Sequence, residues 1–222
     1  MNSFREKMRA SPIYARVAPF VIFVLLTVAQ SMFGEAGQYW VYLGKSLVGA
    51  WLIWEMWDLV PEMRWNINTE AIAIGIGVLI MWIGIDGLYT HMGSDAKPPN
   101  PFQQFGEHSP LAWIYVVGHI LGATLVVPPL EEVFFRSFLY RYFVRTDFLN
   151  MPFNRFHPTS FIVTSVIFGF EHHEWLSGIL CGFAFQWLVI NKNRLGDAIA
   201  AHAITNCLLG LWVVISGQWH FW

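Results

Sequence analysis

Charge is what this chain has least of. Asp, Glu, Lys and Arg make up 13% of its 222 residues, about half the usual share. Together with 55% hydrophobic residues and a mean hydropathy of +0.46, the deficit excludes an ordinary soluble domain and points to lipid as the solvent. Cysteine is almost missing. Cys181 and Cys207 sit in apolar segments with no paired spacing, which excludes a disulfide framework or a Cys-type zinc site and leaves both as packing residues. The chain also lacks an HExxH zinc signature, a glycine-rich phosphate loop, an internal repeat and a low-complexity tract. It has no basic patch of the kind that grips nucleic acid.

What is present is aromatic and apolar. Twelve Trp and 19 Phe suit a bilayer, where rings with a polar edge settle at the headgroups. A hydrocarbon core of about 30 Å needs about 20 apolar residues per helix, and seven such runs emerge: 13–33, 38–60, 70–90, 111–140, 158–172, 175–190 and 197–217. The fourth is too long for one straight crossing and the fifth and sixth are short, so tilts, a break or a re-entrant hairpin are expected there. The expected fold is all-α: a polytopic transmembrane helical bundle of about seven helices, one membrane domain over 1–222. The basic N-terminus (Arg5, Lys7, Arg9, Arg16) precedes a run too long for a signal peptide. Arg64, then Arg141, Arg145 and Arg155, then Lys192 and Arg194 alternate with turns poor in Lys and Arg. The expected orientation is a cytoplasmic N-terminus and an external C-terminus, with 219–222 as an interfacial anchor. The loop 93–110, with Lys97, Pro98 and Pro99, reads as a connector or lid.

Against this background a few polar residues stand out, because an ionisable group inside a membrane is a functional-site hypothesis by default. Glu131, Glu132 and Arg136 follow Pro128 and Pro129. Neither proline can donate to the preceding turn, so the helix should break near Thr124 and Leu125 and restart beneath the glutamates. Glu132 and Arg136 are four apart and can pair, leaving Glu131 over. A second cluster runs from Phe168 to Glu174, where His172 and His173 cannot face the same way and Glu171 and Glu174 mark the water boundary. In the third, His202 and Asn206 share a face of an alanine-rich helix that Asp197 would cap. Each cluster alone is equally readable as helix-to-helix polar packing. Glu55, Asp58 and Asp86 read as pairing near the interface, and Gly75, Gly77 and Gly84 as packing positions.

Taken in order, EExxxR at 131–136, FxxxH at 168–172 and HxxxN at 202–206 resemble the three motifs of the CPBP intramembrane proteases. That family includes the type II CAAX prenyl endopeptidases and bacterial relatives linked to bacteriocin processing and immunity. The resemblance covers roughly 111–217, the expected catalytic core. It implies that Glu131 and His172 activate the attacking water and that His202 and Asn206 stabilise the oxyanion. Glu132 and Arg136 would support them, with Phe168 as a packing wall. It also implies a peptide or membrane-protein substrate, and a setting such as a bacterial plasma membrane. Family members are commonly called metalloproteases, so Glu131, His172 and His202 would be the set to hold a divalent cation such as zinc. A glutamate mechanism without obligatory metal fits the same residues and is preferred. Two other readings of the same network remain: a non-enzymatic immunity or scaffold protein of the membrane, and a proton or ion carrier.

Overall fold

A computed structural model describes residues 2–93 and 99–222; Lys97 and Pro98, part of the expected connector, lie outside them. Among the described residues every regular element is helical. Several helices start on one local device, a capping side chain followed by proline. Ser11 accepts from the Tyr14 N–H ahead of Pro12, and Asn100 accepts from Phe102 and Gln103 ahead of Pro101. Ser109 does so ahead of Pro110, and His157 ahead of Pro158. The cap satisfies one of the orphan N–H groups of the first turn, and proline fits that turn because its missing N–H would have had no partner there.

The helices are α1 (Asn2–Ala10), α2 (Pro12–Gln30), α3 (Gly34–Met56), α4 (Thr69–Ile85), α5 (Pro101–Phe105), α6 (Pro110–Leu125), α7 (Val127–Glu132), α8 (Tyr140–Val144), α9 (Pro158–Gly169), α10 (Trp175–Lys192) and α11 (Gly196–Ser216). Among the described residues four stretches are long and apolar enough to cross a membrane: Pro12–Gln30, Thr69–Leu88, Pro110–Val144 and Gly196–Ser216. The other three expected runs form α3, α9 and α10. Helix α9 has 12 residues and so reaches about 18 Å, well under a bilayer core; it stops at Gly169, three residues before the expected end. The loop 93–110 is also not a bare connector, since α5 forms within it.

The break before the glutamates is where the prolines put it. Helix α6 ends at Leu125, Val126 closes on the Gly122 carbonyl, and α7 starts one residue later. From Val133 to Leu139 the helix then widens into a π-helix before resuming as α8, a feature that spacing did not announce. Such widened turns recur at functional sites.

The contacts divide the chain into two compact units. The first comprises Met1–Leu59, Ala96–Leu130 and Asn206–Trp222. Here α3 packs against α2 and α6. Arg5 pairs with Asp58 at 3.0 Å and with Glu55 at 3.7 Å, which accounts for two of the minor acidic candidates as paired charges. In the 219–222 tail, Trp222 stacks on His119 with ring centroids 4.2 Å apart, and Trp219 meets Phe102.

The second unit comprises Val60–Asp95 and Glu131–Thr205, with α10 packed on α9 and α4. Gly75 lets α4 approach α11 closely. A methyl at Gly75 would lie 2.7 Å from the Ala201 carbonyl and 3.0 Å from Ile204, and Thr205 donates to the Gly75 carbonyl at 2.9 Å. Asn68 caps α4 at Ala71 and its amide also donates to Asp197. Asp197 lies inside the first turn of α11 rather than ahead of it. Its carboxylate holds Asn68 and Arg194 instead of capping the helix.

Candidate active site

The second unit gathers Glu131, Glu132, Arg136, Phe168, His172 and His202. Glu132 and Arg136 pair across one helical turn, with Nε 3.2 Å from Oε2 and both side chains buried. The other carboxylate oxygen of Glu132, Oε1, lies 2.9 Å from Nδ1 of His202, 70 residues away. An ionised carboxylate only accepts, so Nδ1 carries the proton and Nε2 of a neutral His202 is bare. That Nε2 faces Glu131, 3.9 Å from Oε2. Glu131 is therefore not left over, as spacing alone suggested; His202 stands between the two carboxylates.

The guanidinium of Arg136 lies over the Phe168 ring, 4.1 Å from its centroid. The face of the ring offsets part of the cation's lost hydration. Phe168 also meets the rings of Phe135 at 5.2 Å and His172 at 4.9 Å, so it is a wall shared by the charged network and the second histidine. Phe185 of α10 stacks on His202 at 5.2 Å.

His172 sits in the turn between α9 and α10, its Nδ1 2.9 Å from the Phe168 carbonyl. A carbonyl cannot donate, so this nitrogen too is the protonated one and Nε2 is bare. With Nδ1 engaged, the bare Nε2 of a neutral His172 is a base free to accept a proton.

A strap running from the end of α4 fixes this turn. Met92 donates its N–H to the His173 carbonyl at 2.9 Å, and His173 Nδ1 donates to the Met92 carbonyl at 2.7 Å. Trp175 donates to the Thr90 carbonyl at 2.9 Å, and the Tyr89 and Ser177 hydroxyls meet at 2.7 Å. The two neighbouring histidines thus divide their work: His173 holds backbone while His172 keeps a free nitrogen. Of the two glutamates expected at the water boundary, Glu171 is exposed but Glu174 is buried.

Asn206 follows His202 by one turn on α11 but belongs to the first unit, where its amide donates to the Ala123 carbonyl at 2.9 Å. Among the described residues no three His, Cys, Asp or Glu side chains are arranged to hold a metal ion. Glu131, His172 and His202 do not form a ligand set as they stand. One residue that sequence reasoning missed is Trp82 of α4, whose ring meets His172 at 5.4 Å and 72°. It is one tryptophan among 12, and nothing in its spacing marks it.

Apolar helices of spanning length, together with a buried Glu, Arg and His network, define an integral membrane protein with a polar site. Comparison then narrows the class. Residues 112–208 match the family model of the type II CAAX prenyl endopeptidase Rce1-like proteins, a segment that includes all three motifs. No curated protein and no solved structure matches the chain.

Proposed function

We propose that the chain is a CAAX-type intramembrane endopeptidase in which Glu131 and His172 activate water and His202 and Asn206 stabilise the oxyanion. The observation that carries the reading is that both histidines are held by Nδ1, so that Nε2 of each is the nitrogen free for chemistry, as an acceptor on His172 and as the donor position on His202. Both histidines hold their Nδ1 proton on an acceptor, Phe168 O and Glu132, which leaves each Nε2 to the reaction. Water gives a proton to Glu131 or to His172 Nε2 as its oxygen attacks the scissile carbonyl carbon, and the C=O electron pair moves onto oxygen. When the C–N bond breaks, the stored proton passes to the leaving nitrogen. To act as an oxyanion donor His202 must carry a second proton, on Nε2, the nitrogen that lies 3.9 Å from the Glu131 carboxylate.

The substrate class follows the family match: a membrane-associated peptide, with a prenylated chain of the CAAX type as the first to try. The wider proposal is a seven-crossing domain with its N-terminus in the cytoplasm of a bacterial inner membrane. The alternation of basic residues supports it, and reporter fusions at each terminus test it.

The activity is tested with purified protein in detergent and a farnesylated CAAX peptide beside a pool of unmodified peptides, cleavage being followed by mass spectrometry. Glu131→Gln and His172→Ala are each expected to abolish cleavage with helical content unchanged. Turnover in either folded variant overturns the assignment.

A further inference from the structure

The donors expected at the oxyanion are partly engaged elsewhere. His202 gives its Nδ1 proton to Glu132, and Asn206 gives one amide N–H to Ala123. Arg136 directs Nε at Glu132 and lies over the Phe168 ring, while its two terminal nitrogens are buried without a hydrogen-bond acceptor. Beside His172 is another donor. The Trp82 side chain is 7% exposed, and its Nε1 is buried with no hydrogen-bond acceptor.

That combination is unusual in a folded protein. A buried indole N–H ordinarily finds an acceptor, because leaving it unmade forfeits the hydrogen bond it had with water. In a membrane-spanning helix, lipid tails supply no acceptor either. The neighbourhood of Trp82 is also specific, since its ring lies against the ring of a histidine whose Nε2 is bare. A carbonyl attacked by water held on that nitrogen has its carbon roughly 3 Å from the water. Its oxygen therefore falls within a ring's width of His172, the range in which the indole lies.

We propose that the indole N–H of Trp82 is a further carbonyl-binding donor of this site, taking the oxygen of the scissile peptide bond as negative charge develops on it. The inference rests on the endopeptidase reading above and adds a residue from α4, outside the Rce1-like segment 112–208. It gives α4 a part in the chemistry beyond packing: close contact at Gly75 brings the helix to α11, and Trp82, seven residues further along, reaches the turn that holds His172. Because the donor is neutral and already desolvated, its interaction grows as the carbonyl oxygen gains charge, which raises kcat more than it improves substrate binding.

The test is Trp82→Phe, which keeps an aromatic ring against His172 and removes the N–H. With the peptide cleaved in the assay above, kcat is expected to fall by about 10- to 100-fold, toward the range seen when one oxyanion donor is lost, while KM stays within about twofold. A peptidyl trifluoromethyl ketone, which forms a hydrate resembling the tetrahedral intermediate, should lose affinity by a similar factor. A purely structural Trp82 leaves kcat and ketone binding unchanged in Trp82→Phe, and that outcome overturns the proposal. Should Trp82→Phe not fold, Trp82→His and Trp82→Leu make the same comparison, since only the first keeps a ring N–H; equal kcat in the two overturns it as well. Glu131→Gln is assayed in parallel. Turnover there, or no cleavage by the wild type, sinks both readings, whereas an inactive Glu131→Gln beside a fully active Trp82→Phe sinks this one alone.

Discussion

His202 and Glu132 meet through Nδ1 and Oε1 at 2.9 Å, while the second oxygen of the same carboxylate holds Arg136 at 3.2 Å. One glutamate thereby orients a histidine and neutralises an arginine, all three nearly sealed from solvent. The chemistry proposed for His202 depends on this arrangement because it decides which ring nitrogen faces Glu131.

The pair also predicts a non-additive stability effect. Arg136→Met leaves Glu132 buried beside His202 without its cation and should destabilise the protein by about 3 to 5 kcal/mol. Adding Glu132→Gln removes the stranded charge and should recover part of the loss. Thermal unfolding of the single and double variants in detergent measures it; strictly additive losses would mean that the two side chains do not act as a pair.

How far this was legible in the sequence differs by residue. The Glu132 and Arg136 pairing follows from their spacing, and the helix break at Val126 follows from two prolines. The contact between Glu132 and His202 spans 70 positions, so no local period announces it; only the joint resemblance of three motifs placed both residues in one site. The π-helix was hidden because nothing in the spacing of Val133 to Leu139 distinguishes a widened turn from an α-helical one. Glu174 was misplaced at the water boundary because a turn residue is normally wet, whereas this turn lies under the strap from α4.

Helix packing at Gly75 gives a second prediction. Gly75→Ala places a methyl 2.7 Å from the Ala201 carbonyl, whereas the same change at Gly77 meets nothing within 4 Å. Gly75→Ala should lower stability by about 1 to 3 kcal/mol and Gly77→Ala should leave it unchanged or slightly raised. Melting temperatures of the two variants under one detergent condition decide the matter.

Glu174 predicts a pH effect. Burial pushes its carboxyl above the usual carboxylate range, opposed by its own backbone N–H and by His91 and His173, with Asp86 adding to the rise. A folded-state value raised above the unfolded one means that the stability tied to the protonated group is fully present in acid and is lost as pH rises through the folded value. Glu174→Gln removes that loss. The variant should match the wild type below the ordinary glutamate range and exceed it near neutral pH, as read from unfolding curves taken across pH; a constant difference at every pH would refute the link.

His173 gives a fourth. Its ring holds the Met92 carbonyl, so His173→Ala should loosen the turn that carries His172 without touching the reaction itself. The expected outcome is a fall in kcat of about tenfold or more, since small misplacements of a reacting group are expensive in rate. Amide exchange at Met92 should quicken at the same time. Unchanged exchange together with unchanged kcat would show that the strap does not position His172.

The strap has one more consequence. Its links at Thr90 and Met92 to the turn that carries His172 use main-chain carbonyls and one main-chain N–H, so the side chains at those two positions are free to drift during evolution while the hold is kept. The constraint falls on the other partner, where only a ring N–H at His173 and an indole at Trp175 can make the bonds. In related chains, variation should therefore concentrate at 90 and 92 and be scarce at 173 and 175.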